Sequence, residues 1–130
     1  MKHIRIVLLA AALLAPATFA QQAGITRIDV GRNDLEIPGR ELIQVRVAFA
    51  PGAAFGRHSH PGAEVAYVLT GTLQYQFDGE EPRTLKAGEA LFIPAGTIHS
   101  AKNVGKVEAT ELATYVVEKG KPVLMLAPDR

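Results

Sequence analysis

Three histidines and one glutamate are the residues of this chain whose types and spacing best suit chemistry. His58 and His60 are separated by a single residue, Glu64 follows four positions later, and His99 comes after a long gap. The only other histidine, His3, lies in the extreme N-terminal segment, so every remaining imidazole belongs to one constellation. A neutral imidazole is the commonest side-chain ligand for a transition metal, and a carboxylate adds charge to a borderline-hard site. In a strand, residues i and i+2 point to the same face, so His58 and His60 can aim at one ion. Four bulky polar groups meeting inside a small domain are costly unless something satisfies them, and a divalent cation does.

The elements that must position these residues read as strands divided by turn residues, with no convincing amphipathic helix. In the segment Leu42 to Ala50, Ile43, Val45, Val47 and Phe49 alternate with more polar neighbours, the pattern of a half-buried strand, and Pro51-Gly52 ends it. A second strand is expected from Glu64 to Leu69, stopping at Thr70-Gly71. Leu73, Tyr75 and Phe77 alternate up to Asp78-Gly79, a hairpin-type turn. Thr84-Leu85, Ala90 to Ile93 and a long segment from Val107 to Val117 complete the series, before a short apolar tail. Residues 21–40, with Pro38-Gly39, are expected to supply an edge strand. Many short strands at regular intervals with Gly and Pro between them argue for a sandwich or small barrel.

At 130 residues the chain is expected to hold one folded domain. Its first twenty residues have the three parts of a secretory signal peptide: basic Lys2 and Arg5, an apolar run from Ile6 to Ala15, and small residues up to Ala20. The run is well short of the roughly twenty residues that span a bilayer as a helix. The expected organisation is a signal peptide at 1–20 and a β-barrel domain at 21–130, exported to a periplasmic or secreted location. Losing Lys2 and Arg5 takes the formal charge from +1 to −1. A near-neutral surface without basic patches gives no reason to expect nucleic acid, or a membrane after signal removal, as a partner. The chain has no cysteine, which excludes disulfides, thiolate metal sites and a cysteine nucleophile.

Two gapped strings carry a family resemblance. Gly52, five residues, His58-Ser59-His60, three residues, Glu64, six residues and Gly71 resemble the first motif of the cupin superfamily at every fixed position. Gly88, five residues, Pro94-Ala95-Gly96, two residues, His99, three residues and Asn103 resemble the second. The chain is thereby similar to a small single-domain cupin. The resemblance implies an all-β fold, a double-stranded β-helix or jelly-roll barrel. It also implies a metal near the barrel centre, with His58, His60, Glu64 and His99 as ligands. Gly52 and Gly71 permit tight turns at either end of the first ligand-bearing stretch. Pro61-Gly62 makes the corner that returns Glu64, and Pro94 and Gly96 the turn that returns His99. Asn103 is expected to hydrogen-bond in a turn. Tyr67 and Tyr75 either face the cavity or fill the barrel wall, and Arg57 is expected to be solvated. Cupins often pair through their sheets, so a homodimer is expected.

Four protein ligands on an octahedral metal leave two positions for water, dioxygen or a bidentate substrate. Mixed nitrogen and oxygen donors suit one divalent transition metal ion, whether Fe, Mn, Ni, Zn, Co or Cu, and affinity order does not choose among them. Two functions follow. One is a small metal-dependent enzyme of dioxygenase, isomerase or lyase type, acting on a small oxygenated organic compound; the dioxygenase type is slightly favoured. The other is a non-catalytic metal or small-ligand binding protein on the same barrel. Fold does not decide between them. By resemblance, Glu64 is the candidate for a second role in moving a proton, and no further catalytic residue stands out.

Overall fold

The structure, a computed structural model, describes residues 22–128. The signal peptide expected at 1–20 lies outside the described residues. In chain order the strands are β1 (Ile25–Asp34), β2 (Arg40–Phe49), β3 (Ala54–Ser59), β4 (Ala63–Thr70) and β5 (Thr72–Phe77). They continue as β6 (Arg83–Lys86), β7 (Ala90–Ile93), β8 (His99–Asn103), β9 (Ala109–Glu118) and β10 (Met125–Leu126). Two five-stranded sheets, ordered β1-β2-β9-β4-β7 and β10-β3-β8-β5-β6, make the jelly-roll barrel, and all pairings are antiparallel. No helix occurs among the described residues.

Period-two alternation builds the interior. Ile43, Val45, Val47 and Phe49 of β2 point inward, as do Ala66 and Val68 of β4, Leu73, Tyr75 and Phe77 of β5, and Ala113, Tyr115 and Val117 of β9. Burying such side chains is worth about 25 cal/mol per Å² of apolar surface, the main force closing the two sheets on each other. The edge position expected for residues 21–40 holds, since β1 borders its sheet and pairs only with β2. The long final segment begins two residues later than expected, at Ala109. Asn103 accounts for the delay. Its amide donates to the carbonyls of Phe49 (3.0 Å) and Val107 (2.7 Å), and its Oδ1 accepts from Gly105 N (2.8 Å). Val107 is thereby held in the loop, and Asn103 is the turn hydrogen-bonder expected of it.

The apolar tail is more than a tail, because β10 pairs with β3 through Met125 opposite Ser59 and Leu126 opposite His58. The two outer turns of the first ligand-bearing stretch use glycine as expected, with φ of 76° at Gly52 and 75° at Gly71. Gly62 is required for a different reason. A Cβ there would sit 1.9 Å from the Val116 carbonyl oxygen, so the corner between β3 and β4 admits no side chain.

Candidate metal centre

β3 and β8 bring the first pair of imidazoles together, with His58 directly opposite His99 in the ladder. Strict alternation from buried Phe55 would turn His58 outward. A bulge between Phe55 and His58 adds one residue to β3 and rephases the strand, so both side chains face the interior. His60 lies just past the end of β3, where the corner starts, and the Gly96 N–H donates to its carbonyl (2.8 Å). That bond ties the second motif's turn to the first motif's corner. Glu64 enters from the opposite sheet, on the inner face of β4, opposite Tyr115. All four predicted site residues are brought together and all are buried.

One ligand atom from each of His58, His60 and His99 lies within 4.8 Å of the others. Glu64 Oε2 lies 2.9 Å from His60 Nε2 and 3.5 Å from His99 Nε2. Neighbouring donors around an octahedral ion at about 2.1 Å sit about 3 Å apart, so these separations are of coordination size. Each imidazole is oriented from behind. The Nδ1 atoms meet the carbonyls of Gly56 (2.7 Å, His58), Val123 (2.6 Å, His60) and Thr97 (2.9 Å, His99). A carbonyl only accepts, so each Nδ1 carries a proton, and in the neutral tautomer this leaves an Nε2 lone pair turned to the centre. His60 Nε2 and Glu64 Oε2 consequently face each other as two buried acceptors, and neither has a hydrogen-bond partner. Two such lone pairs repel unless a proton or a cation lies between them. The donor set fits a divalent metal ion, which His58, His60 and His99 could hold together.

The electrostatics describe the proton case, in which a histidine N–H faces the Glu64 carboxylate. Burial, with repulsion from His99, lowers His58 to about 3 and keeps it neutral. Burial alone would raise Glu64, but hydrogen bonding and attraction from His60 and His99 outweigh it and lower the carboxyl to about 2. For His99 burial also opposes the charged form, yet contact with Glu64 leaves it raised above the ordinary histidine value.

A further buried carboxyl stands beside the cluster outside both motifs. Glu111, on the inner face of β9, is buried and accepts a hydrogen bond from the Tyr75 hydroxyl. Burial and the nearby Glu64 charge raise its carboxyl to about 7. A sequence signal existed: Glu111 shares the inward phase with Ala113, Tyr115 and Val117, where a carboxylate is out of place. Tyr75 lines the inner recess beside the histidines and its hydroxyl is raised, by burial and by Glu111, whereas Tyr67 is 42% exposed on the outer face and does neither job expected of it. Arg57 is not simply solvated. It pairs with Asp78 (2.6 Å) and donates to the Pro128 carbonyl, holding the tail against β3.

The inner recess, about 10 Å³, is lined by His58, Glu64, His99, Glu111, Tyr75 and Phe55 among others, room for a single small particle. Arg27 and Phe55 also line a second cavity of about 580 Å³, so these two residues are walls of both spaces.

Fold and site together define a jelly-roll barrel with an internal histidine cluster. The family model described as the cupin domain matches residues 45–117. The chain belongs to the cupin family. Among curated proteins it is 38% identical to germin-like protein subfamily 2 member 2 of Arabidopsis thaliana over 93 residues, 65% of this chain and 42% of that one. It is 35% identical to an oxalate oxidase of Triticum aestivum over 104 residues, 72% of this chain and 45% of that one. The chain thus spans less than half the length of these relatives. A solved oxalate oxidase matches with TM-score 0.64 and 25% identity, covering 92% of this chain and 63% of that one. KdgF from Halomonas sp. matches with TM-score 0.62 and 26% identity, covering 75% and 82%.

Proposed function

We propose that this chain is an exported metal-dependent cupin enzyme of dioxygenase type, acting on a small oxygenated organic compound. The observation that carries the reading is the set of three backbone-tethered imidazoles presenting Nε2 to the buried Glu64, beside a cavity of ligand size. Similarity to oxalate oxidases, which share both the fold and part of the sequence, favours oxidation over isomerisation. His58, His60, Glu64 and His99 would hold the ion, with Fe, Mn, Ni, Zn, Co and Cu all compatible with these donors. Bound there, the ion supplies Lewis acidity and, for a redox-active metal, electron exchange with dioxygen.

The chain's own residues divide the remaining work. Glu64, held ionised, gives the site negative charge and is poorly suited to carry a proton. Glu111, with its carboxyl near 7, and the Tyr75 hydroxyl it accepts from are the better proton-holding pair, since an acid–base group works best with a pKa near the working pH. Phe55, Phe77 and Tyr115 pack around the imidazoles and exclude water from the recess.

Export rests on the pattern of residues 1–20, and the barrel domain at 21–130 is the expected mature protein. A homodimer would cover the outer face of the β1-β2-β9-β4-β7 sheet, where Val65, Tyr67, Phe92 and Val116 are exposed. The deciding experiment is metal analysis of the purified protein, followed by oxygen-uptake screening with small organic acids, catechols and sugar derivatives. Oxygen uptake that disappears in His99→Ala, with the fold retained, is expected. Tight metal binding without turnover under any of Fe, Mn, Ni or Zn would instead make the barrel a binding protein.

A further inference from the structure

The inner face of β1 is unusual for a strand that helps close a barrel. Opposite the apolar residues Val47, Val45 and Ile43 of β2 it places Arg27, Asp29 and Arg32. A bulge between Asp29 and Gly31 keeps Arg32 on the same face as the other two. All three line the cavity of about 580 Å³, whose apolar wall includes Ile43, Val45 and Leu124. That volume lies within the usual range for small-molecule sites, about 300–1,000 Å³.

The charges are not equivalent. Arg32 is neutralised by buried Glu41, at 2.9 and 3.1 Å, and Lys121 on the same cavity pairs with Glu118 at 2.9 Å. Arg27, an exposed residue, makes no ion pair with a carboxylate among the described residues; its guanidinium lies 5.8 Å from the centre of the Phe55 ring, and its charge acts on Glu111 and Tyr115. It is also the cation shared by the outer cavity and the inner recess. A planar guanidinium with spare donors in that position matches an oxyanion, a carboxylate above all. Asp29 stands one step further out on the same face and repels a second negative charge.

We propose that the outer cavity is the substrate chamber and that Arg27 seats the carboxylate of a monocarboxylic acid whose apolar body lies against Ile43, Val45 and Leu124. The inference rests on reading the histidine cluster as the reaction centre, and it names the substrate class of that site. The chamber is far larger than a two-carbon diacid fills, and Asp29 selects against dianions. Specificity would come from two sources: charge at Arg27 and apolar fit beyond it.

The test is calorimetric titration of the full-length purified protein with hexanoate and phenylacetate, their uncharged amides, and adipate, with metal content measured on every sample. The monocarboxylates are expected to bind at least tenfold more tightly than their amides and than adipate. Arg27→Gln should erase the preference for acid over amide at unchanged metal content, and Arg27→Lys should restore part of it. Acid and amide binding alike would overturn the proposal, as would adipate binding as well as hexanoate, or an affinity that survives Arg27→Gln. An Arg27-dependent preference in protein that takes up no metal on reconstitution with Fe, Mn, Ni or Zn would sink the metal reading and leave the carboxylate seat standing.

Discussion

The two sheets contribute opposite chemistry to the same interior. The β10-β3-β8-β5-β6 sheet, with the corner after β3, supplies the imidazoles; the β1-β2-β9-β4-β7 sheet supplies the carboxylates Glu64 and Glu111. The imidazoles share one arrangement, each held from behind by a backbone carbonyl. The two carboxylates diverge. Glu64 touches histidine rings and is lowered to about 2, whereas burial and the Glu64 charge raise Glu111 to about 7 against the lowering effect of the Tyr75 hydrogen bond. Identical groups in one cavity are therefore driven apart, because only Glu64 has histidine contacts strong enough to outweigh its burial. Pairs driven apart in this way mark the division of labour at many acid–base sites.

The comparison breaks most severely where the sheets are joined. Gly62→Ala forces a Cβ against the Val116 carbonyl and should cost about 3 kcal/mol or more, read from urea unfolding. An unchanged denaturation midpoint would show that the corner is looser than drawn. Removing the ion should come next. A ligand at a hundred times its Kd stabilises by about 2.7 kcal/mol, so chelation should lower Tm. Glu64→Gln should shrink that response by removing the carboxylate donor while the barrel still folds. A chelator-insensitive Tm in a metal-containing sample would contradict a buried centre.

Proton competition sharpens the imidazole side. Burial holds His58 neutral at about 3, but contact with Glu64 raises His99, so His99 should take up a proton before His58 as pH falls, in competition with a metal ion. Below the His99 pKa, affinity should drop about tenfold per pH unit for each proton taken up, measurable with a fluorescent chelator. Flat affinity from pH 8 to pH 5 would remove histidine from the donor set.

The smallest effect concerns Glu111. Its folded pKa lies above the unfolded value of 4.5, so the native state binds more protons between 4.5 and about 7, and stability falls as pH rises through that window. In chelated protein, wild type should lose about 1 kcal/mol relative to Glu111→Gln between pH 6 and pH 8. Parallel stability curves for the two proteins would place the Glu111 carboxyl at its ordinary value.

Much of this was legible in the sequence, for a definite reason. His58, His60, Glu64 and His99 sit in gapped strings whose glycines and prolines also set the turns, so spacing and backbone demands point the same way. The alternating segments β2 and β5 were legible from their side chains alone. The β3 bulge was not, because alternation assumes an unbroken phase and the extra residue shows only in pairing with β8. Neither was β10, two residues long and held by a partner more than sixty positions away. Glu111 and Arg27 were readable in principle as charges on the inward phase of their strands. Alternation discounts isolated charges as solvated, which fails for buried Glu111 and holds in part for Arg27, exposed at the outer cavity.

The carbonyl that aligns His60 belongs to Val123, on the segment that also carries β10 against β3. The orientation of a ring at the heart of the barrel therefore depends on a peripheral stretch two strand residues long. A clip or substitution that undocks that stretch would release His60 without touching any of the four clustered side chains.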